Sequence, residues 1–125
     1  MGFREPIHIL LVDDRPENLL ALEAVLESQQ YKLVKANSGE EALRCLLKYE
    51  FAVIVLDVQM PGMDGLELQR KLTEAQRHIP IIFITAYPKE TVRTRAVTAG
   101  AVCFLAKPYN AQVIIDAIEQ VISKG

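Results

Sequence analysis

The chain is predicted to be an α/β protein, a (βα)5 three-layer sandwich with helices on both faces of a parallel sheet. Three observations predict it. Short strand-like segments alternate with stretches of helical period, five times over. The first of them, Ile7 to Val12, is a nearly continuous apolar run, as a strand buried on both faces would be. The length of 125 residues, with 50% hydrophobic and 24% charged side chains, suits one domain with a genuine core and is too short for two.

The elements follow in order. Ile7 to Val12 is the first apolar run. From about Pro16 to Gln29 the pattern is helical, with Leu19, Leu22, Val25 and Leu26 on one stripe and Pro16 suited to the first turn. Tyr31 to Ala36 reads as the second strand. Ser38-Gly39-Glu40-Glu41 reads as a capping box, Ser38 accepting from the new helix and Glu41 reaching back. That helix is expected to bury Ala42, Leu43, Leu46 and Leu47. Phe51 to Leu56 is the clearest strand, followed by a Pro- and Gly-punctuated loop from Val58 to Asp64. Gly65 to Ala75 forms the third helix and Pro80 to Thr85 the fourth strand. A fourth helix from about Lys89 to Ala99 stops at Gly100 and has few apolar side chains, so loose attachment is expected. Ala101 to Ala106 is a short fifth strand. Asn110 caps a last helix with Val113, Ile114, Ala117, Ile118, Val121 and Ile122 on one face. Right-handed crossovers leave few ways to connect such units, and the flavodoxin-like sheet order 2-1-3-4-5 leads.

Composition excludes several function classes. The net charge is −2 with no basic run, so direct nucleic-acid binding is not expected. No apolar stretch reaches membrane-span length, and Met1 to Pro6 lacks the apolar core of a signal peptide. The chain is expected to be cytoplasmic, one domain over residues 1–125 with no effector domain. Cys45 and Cys103 lack CxxC spacing and read as reduced thiols acting as small apolar side chains. His8 and His78 have no neighbour that makes them a ligand or a base.

In an open parallel sheet, ligands bind at the carboxyl ends of the strands. The first strand ends in Asp13-Asp14, the third in Asp57, the fourth in Thr85, and the fifth runs into Lys107-Pro108. In the order proposed, the first and third strands are neighbours, so three carboxylates converge. Their mutual repulsion raises the cost of ionising each one, and a hard divalent cation relieves it. Asp14 and Asp57 suit direct ligation of Mg2+ (or Mn2+), with the backbone carbonyl of Gln59, and Asp13 acting through water. Asp13 or Asp14 alone reads equally well as a cap of the following helix. Lys107 can simply neutralise the acidic cluster. A cation, a hydroxyl and a metal around one carboxylate also make a site for a transferred phosphoryl group, with Asp57 as nucleophile, Lys107 and Thr85 on the phosphoryl oxygens, and Ala86 leaving room for the donor.

These residues resemble those of two-component response regulator receiver domains. The segments that carry the resemblance are Leu11 to Asp14, Leu56 to Gly65, Ile84-Thr85-Ala86 and Ala106-Lys107-Pro108, and it extends from Ile7 to about Ser123. The resemblance implies that a histidine kinase's phosphohistidine, or a phosphotransfer domain, is the donor, and that the domain catalyses only its own phosphorylation and dephosphorylation. It implies that Thr85 then shifts, that the aromatic residue at Phe104 turns inward, and that the surface of the fourth helix, fifth strand and fifth helix changes for a downstream protein or a second copy of the chain. Phe104 stands where tyrosine is frequent and has no hydroxyl to offer a partner. The resemblance also implies that Gln59 and Tyr87 flank the site at positions that tune loss of the phosphoryl group, and the hypothesis for Tyr87 is that it partly blocks attacking water and lengthens the signal. Asp14 to Leu19 resembles receivers of hybrid sensor kinases more than those of transcription factors. A degenerate receiver is disfavoured by the intact acidic pair and lysine. A phosphatase using an aspartyl phosphate would need an acid where Gln59 stands. A flavin-binding domain would need phosphate-cradling amides where Asp13 to Glu17 stand.

Overall fold

A computed structural model describes residues 6–124 of the chain; Met1 to Glu5, the greater part of the segment that lacks the apolar core of a signal peptide, and Gly125 lie outside the described residues. The strands are β1 (His8–Val12), β2 (Lys32–Ala36), β3 (Val53–Asp57), β4 (Ile81–Thr85) and β5 (Cys103–Ala106). They pair in parallel in the order β2-β1-β3-β4-β5, as expected. The helices are α1 (Pro16–Leu26), α2 (Gly39–Lys48), α3 (Gly65–Glu74), α4 (Glu90–Thr98) and α5 (Ala111–Lys124). A 3-10 turn, Glu27–Gln29, takes the place of the expected last turn of the first helix.

Period-two alternation divides the strand side chains between two cores. Leu10, Val12, Ile54, Leu56, Ile81 and Phe83 face α2, α3 and α4, with Ala42, Leu46, Leu68 and Leu72 packed against them. Ile9, Leu11, Val53, Val55, Ile82 and Ile84 face α1 and α5, meeting Leu19, Leu22, Leu26, Ile114 and Ile118. Because both faces are covered, these strands read as continuous apolar runs. Among the described residues, no helix is long and apolar enough to cross a membrane.

Three helix-surface expectations are corrected. Leu47 is 85% exposed, and α2 buries Gly39, Ala42 and Leu46 instead. Val113 of α5 is 45% exposed, while Ile115 packs against the core. The expected stripe of α2 is one position too wide and that of α5 is displaced, because a helix's rotation on the sheet is set by what it meets there. The capping box is also shifted: Ser38 Oγ accepts the Glu41 N–H at 3.1 Å, but Glu41 accepts from the Asn37 N–H at 2.6 Å. In α4 only Ala96 is buried, as its composition foretold.

Candidate functional site

The carboxyl ends of β1, β3, β4 and β5 bring the expected residues to one edge of the sheet. Val12 pairs with Leu56, so Asp13 and Asp57 leave adjacent strands at the same level. One carboxylate oxygen from each of Asp13, Asp14 and Asp57 lies within 4.8 Å of the others. Asp13 is buried, Asp57 is 8% exposed and Asp14 is half-buried. Lys107 reaches over from the end of β5, its Nζ 3.0 Å from Asp13 Oδ2 and 3.5 Å from Asp57 Oδ2. The Lys107 N–H donates to the Thr85 carbonyl at 2.8 Å, which ties the two loops together. The Lys107–Pro108 peptide bond is cis.

Neither Asp13 nor Asp14 caps α1. Arg15 is the N-cap residue, without a side-chain bond. The Asp13 oxygens are instead engaged on all sides. Oδ1 accepts from the Arg15 N–H at 3.0 Å, the Asn18 Nδ2 group lies 3.3 and 3.2 Å from the two oxygens, and Oδ2 faces Lys107. Asp13 is thus neutralised by the chain itself, while Asp14 carries no such set of partners among the described residues. This division fits Asp14 and Asp57 as the carboxylates open to a cation and Asp13 as one that acts through water.

Asp57 sits at the end of a fully buried strand, and burial pushes its carboxyl up to about 6. The neighbouring Asp13 carboxylate adds to the rise and Asp14 contributes less; Lys107 and the Gln59 N–H, 3.2 Å from Oδ1, oppose it. The carboxyl stays ionised at neutral pH but at a cost, which an added cation would relieve. An acidic cluster of oxygen donors, with one member held anionic against its preference, suits a hard divalent ion.

Thr85 is buried, its Oγ1 accepting the Tyr87 N–H at 3.1 Å. Ala86 and Tyr87 are exposed beside it, Tyr87 at 64%. Gln59 is exposed on the next loop. Phe104 is half-buried, its ring centroid 6.3 Å from that of Phe83. A cleft of about 600 Å³ opens between α1 and α5, and its lining includes Asp13, Asn18, Asp57, Ala86 and Lys107.

Sequence reasoning missed two residues that shape the site. Asn18, in the first turn of α1, holds Asp13; its only signal was being a short amide just after the acidic pair. Gly65 begins α3 with its N–H donating to the Val58 carbonyl at 2.8 Å. A Cβ there would collide with the Asp57 carbonyl oxygen and press on Phe83. In sequence Gly65 is only the start of a helix, whereas in the fold it lets that helix approach the backbone of the phosphoacceptor candidate. The thiols of Cys45 and Cys103 are half-buried, free and pushed up by burial, consistent with inert apolar side chains.

Comparison with known proteins agrees with this geometry. The transcriptional regulatory protein GlrR of Escherichia coli (strain K12) is 33% identical over 121 residues, 97% of this chain and 27% of GlrR. The chain therefore spans about a quarter of that relative's length. The crystal structure of FixJ-N superposes with a TM-score of 0.86 at 32% identity, covering 96% of each chain. The receiver domain of a signal transduction histidine kinase from Syntrophus aciditrophicus gives 0.84 at 32% identity, covering 94% of this chain and 90% of that one. Both regulators and kinases thus carry such a domain. The family description "response regulator receiver domain" matches residues 9–119, and the chain belongs to that family.

Proposed function

We propose that the domain is a phosphoryl-accepting switch in which Asp57 is the acceptor. The observation that carries this reading is the placement of the Lys107 ammonium 3.0 and 3.5 Å from Asp13 and Asp57, at the open end of the strand that presents Asp57. The donor is a phosphohistidine of a histidine kinase or phosphotransfer domain. An Asp57 oxygen attacks phosphorus, the new O–P bond forms as the P–N bond breaks, and the imidazole leaves on the donor. Lys107 balances charge on the phosphoryl oxygens, and Thr85 turns its hydroxyl toward them. Asp14, Asp57 and the Gln59 carbonyl would hold Mg2+ or Mn2+, with Asp13 contributing through water. Bound there, the ion supplies charge neutralisation and orients the phosphoryl oxygens.

Asp13 keeps Lys107 in place before the reaction, and phosphorylation then draws the ammonium toward a new dianion. Movement of Thr85, with Phe104 turning further inward, alters the face formed by α4, β5 and α5, which a downstream protein or a second copy reads. The domain turns over no external substrate. Incubation with a small-molecule phosphoryl donor and Mg2+ tests the reading. Intact-mass measurement should show one added phosphoryl group, lost in Asp57→Asn and when a chelator removes the ion. Addition at another residue, or none with a competent donor, would falsify it.

A further inference from the structure

One buried polar side chain takes no part in this chemistry. Gln69 in α3 is 4% exposed, and its Nε2 donates to the Ala96 carbonyl in α4 at 3.0 Å. Clefts of about 240 and 250 Å³ border it, both lined by Gln69, Thr73 and Ala99. Apolar packing between α3 and α4 is therefore thin around this bond, and Ala96 is the one buried residue of α4.

The two ends of α4 are held differently. At the C-terminal end, the Ala96 carbonyl also accepts the Ala101 N–H at 3.0 Å, and the Gly100 N–H donates to the Val97 carbonyl at 2.9 Å. Gly100 has φ +107°, so the helix closes with the left-handed glycine ending that satisfies its last carbonyls. Gln69 thus grips the turn whose carbonyls the chain reversal at Gly100 also engages. At the other end Lys89 makes no side-chain cap, and residues 86–91 are exposed. Val92 is the one side chain of that first turn that packs against the core, and it is only half-buried; the turn leads straight back to Thr85.

We propose that Gln69 is the pivot of α4: its amide fixes the Ala96–Ala101 end against α3, so that movement of the Thr85–Lys89 segment swings the first turn of the helix and leaves the last turn in place. The inference rests on the switch reading above, for which it names the fixed point. Gln69 is a positioning residue, and it touches none of the reacting groups.

Residue-resolved amide hydrogen exchange on the whole chain tests it. In the unphosphorylated protein the amides of Ala99 and Ala101 should exchange at least about fivefold more slowly than that of Arg93, the worth of one net hydrogen bond. Gln69→Met keeps length and bulk but removes the donor. It should speed Ala101 exchange about fivefold while amides of β1 and β3 stay unchanged. After treatment with a phosphoryl donor and Mg2+, chemical-shift changes in α4 should stop before Ala96 in the wild type and extend to Ala101 and Thr73 in the variant. Even exchange along α4, or a Met variant that matches the wild type, overturns the pivot. Failure of Asp57 to take the phosphoryl group overturns the switch reading instead, and the exchange pattern of the unmodified protein still decides for or against the pivot. Should the Met variant lose its fold, Gln69→Leu, which also removes the donor, is read in its place by the same exchange measurement at Ala101.

Discussion

Asp57→Asn should stabilise the domain in the absence of divalent ions, and the gain should depend on pH. The folded carboxyl is pushed from 3.8 to about 6 by burial first and by Asp13 second. A shift of that size corresponds to ~3 kcal/mol. Solvent at the mouth of the site screens part of it, which leaves about 2 kcal/mol. Below the unfolded value both states hold the proton and there is no penalty. Between the two values only the unfolded chain ionises, so the folded state loses ground as pH rises. Above about 6 the penalty is complete. The amide cannot ionise, and its oxygen can keep the bond from the Gln59 N–H. Urea unfolding in a chelator should therefore show the variant more stable by about 2 kcal/mol near pH 7.5, with the gain falling to a few tenths of a kcal/mol by about pH 4 and vanishing below about pH 3. Millimolar Mg2+ should reverse the ranking, because the ion binds the folded wild type and stabilises it by mass action. A variant less stable than the wild type at pH 7.5 without metal, or a gain equal at both pH values, would refute the electrostatic account of the site.

Other consequences are independent of that one. Lys107→Ala leaves the buried Asp13 carboxylate without its cation, so unfolding free energy should fall by about 1–3 kcal/mol, and the Asp57 carboxyl should titrate higher still, measurable by carbon-detected NMR. Gly65→Ala drives a Cβ into the Asp57 carbonyl and against Phe83; it should cost about 3 kcal/mol in urea unfolding and slow phosphorylation, whereas an unchanged midpoint would mean that α3 can retreat freely. Tyr87→Ala removes a 64% exposed ring beside Thr85 and should shorten the phosphoryl lifetime, read from the decay of the mass adduct; an unchanged decay rate dismisses Tyr87 as a water screen.

Much of the architecture could be read directly from residue order. Strands covered on both faces have to be apolar at every position, so β3 and β4 stand out without any partner in view. Their carboxyl ends then carry the polar residues, and the side on which Asp13, Asp57, Thr85 and Lys107 emerge follows from the parallel alternation alone. Gly100 marked the end of α4 because a left-handed residue favours glycine. The sparse apolar content of α4 foretold its slight burial.

Other features depended on neighbours far away in sequence. Leu46 and Leu47 are adjacent and chemically alike, yet one packs into the core and the other points to solvent; the difference is the rotation of α2 on the sheet, which no local pattern encodes. Asn18 could be known as the partner of Asp13, and Gln69 as the anchor of Ala96, only once the chain had closed. The titration of Asp57 has the same origin. Any aspartate ends near 4 in water, and it is the burial around β3, with a second carboxylate delivered by β1, that raises this one. Residue types and their spacing were enough to say which groups meet. The distances, and with them the energies, arise only when segments remote along the chain are packed together with water excluded.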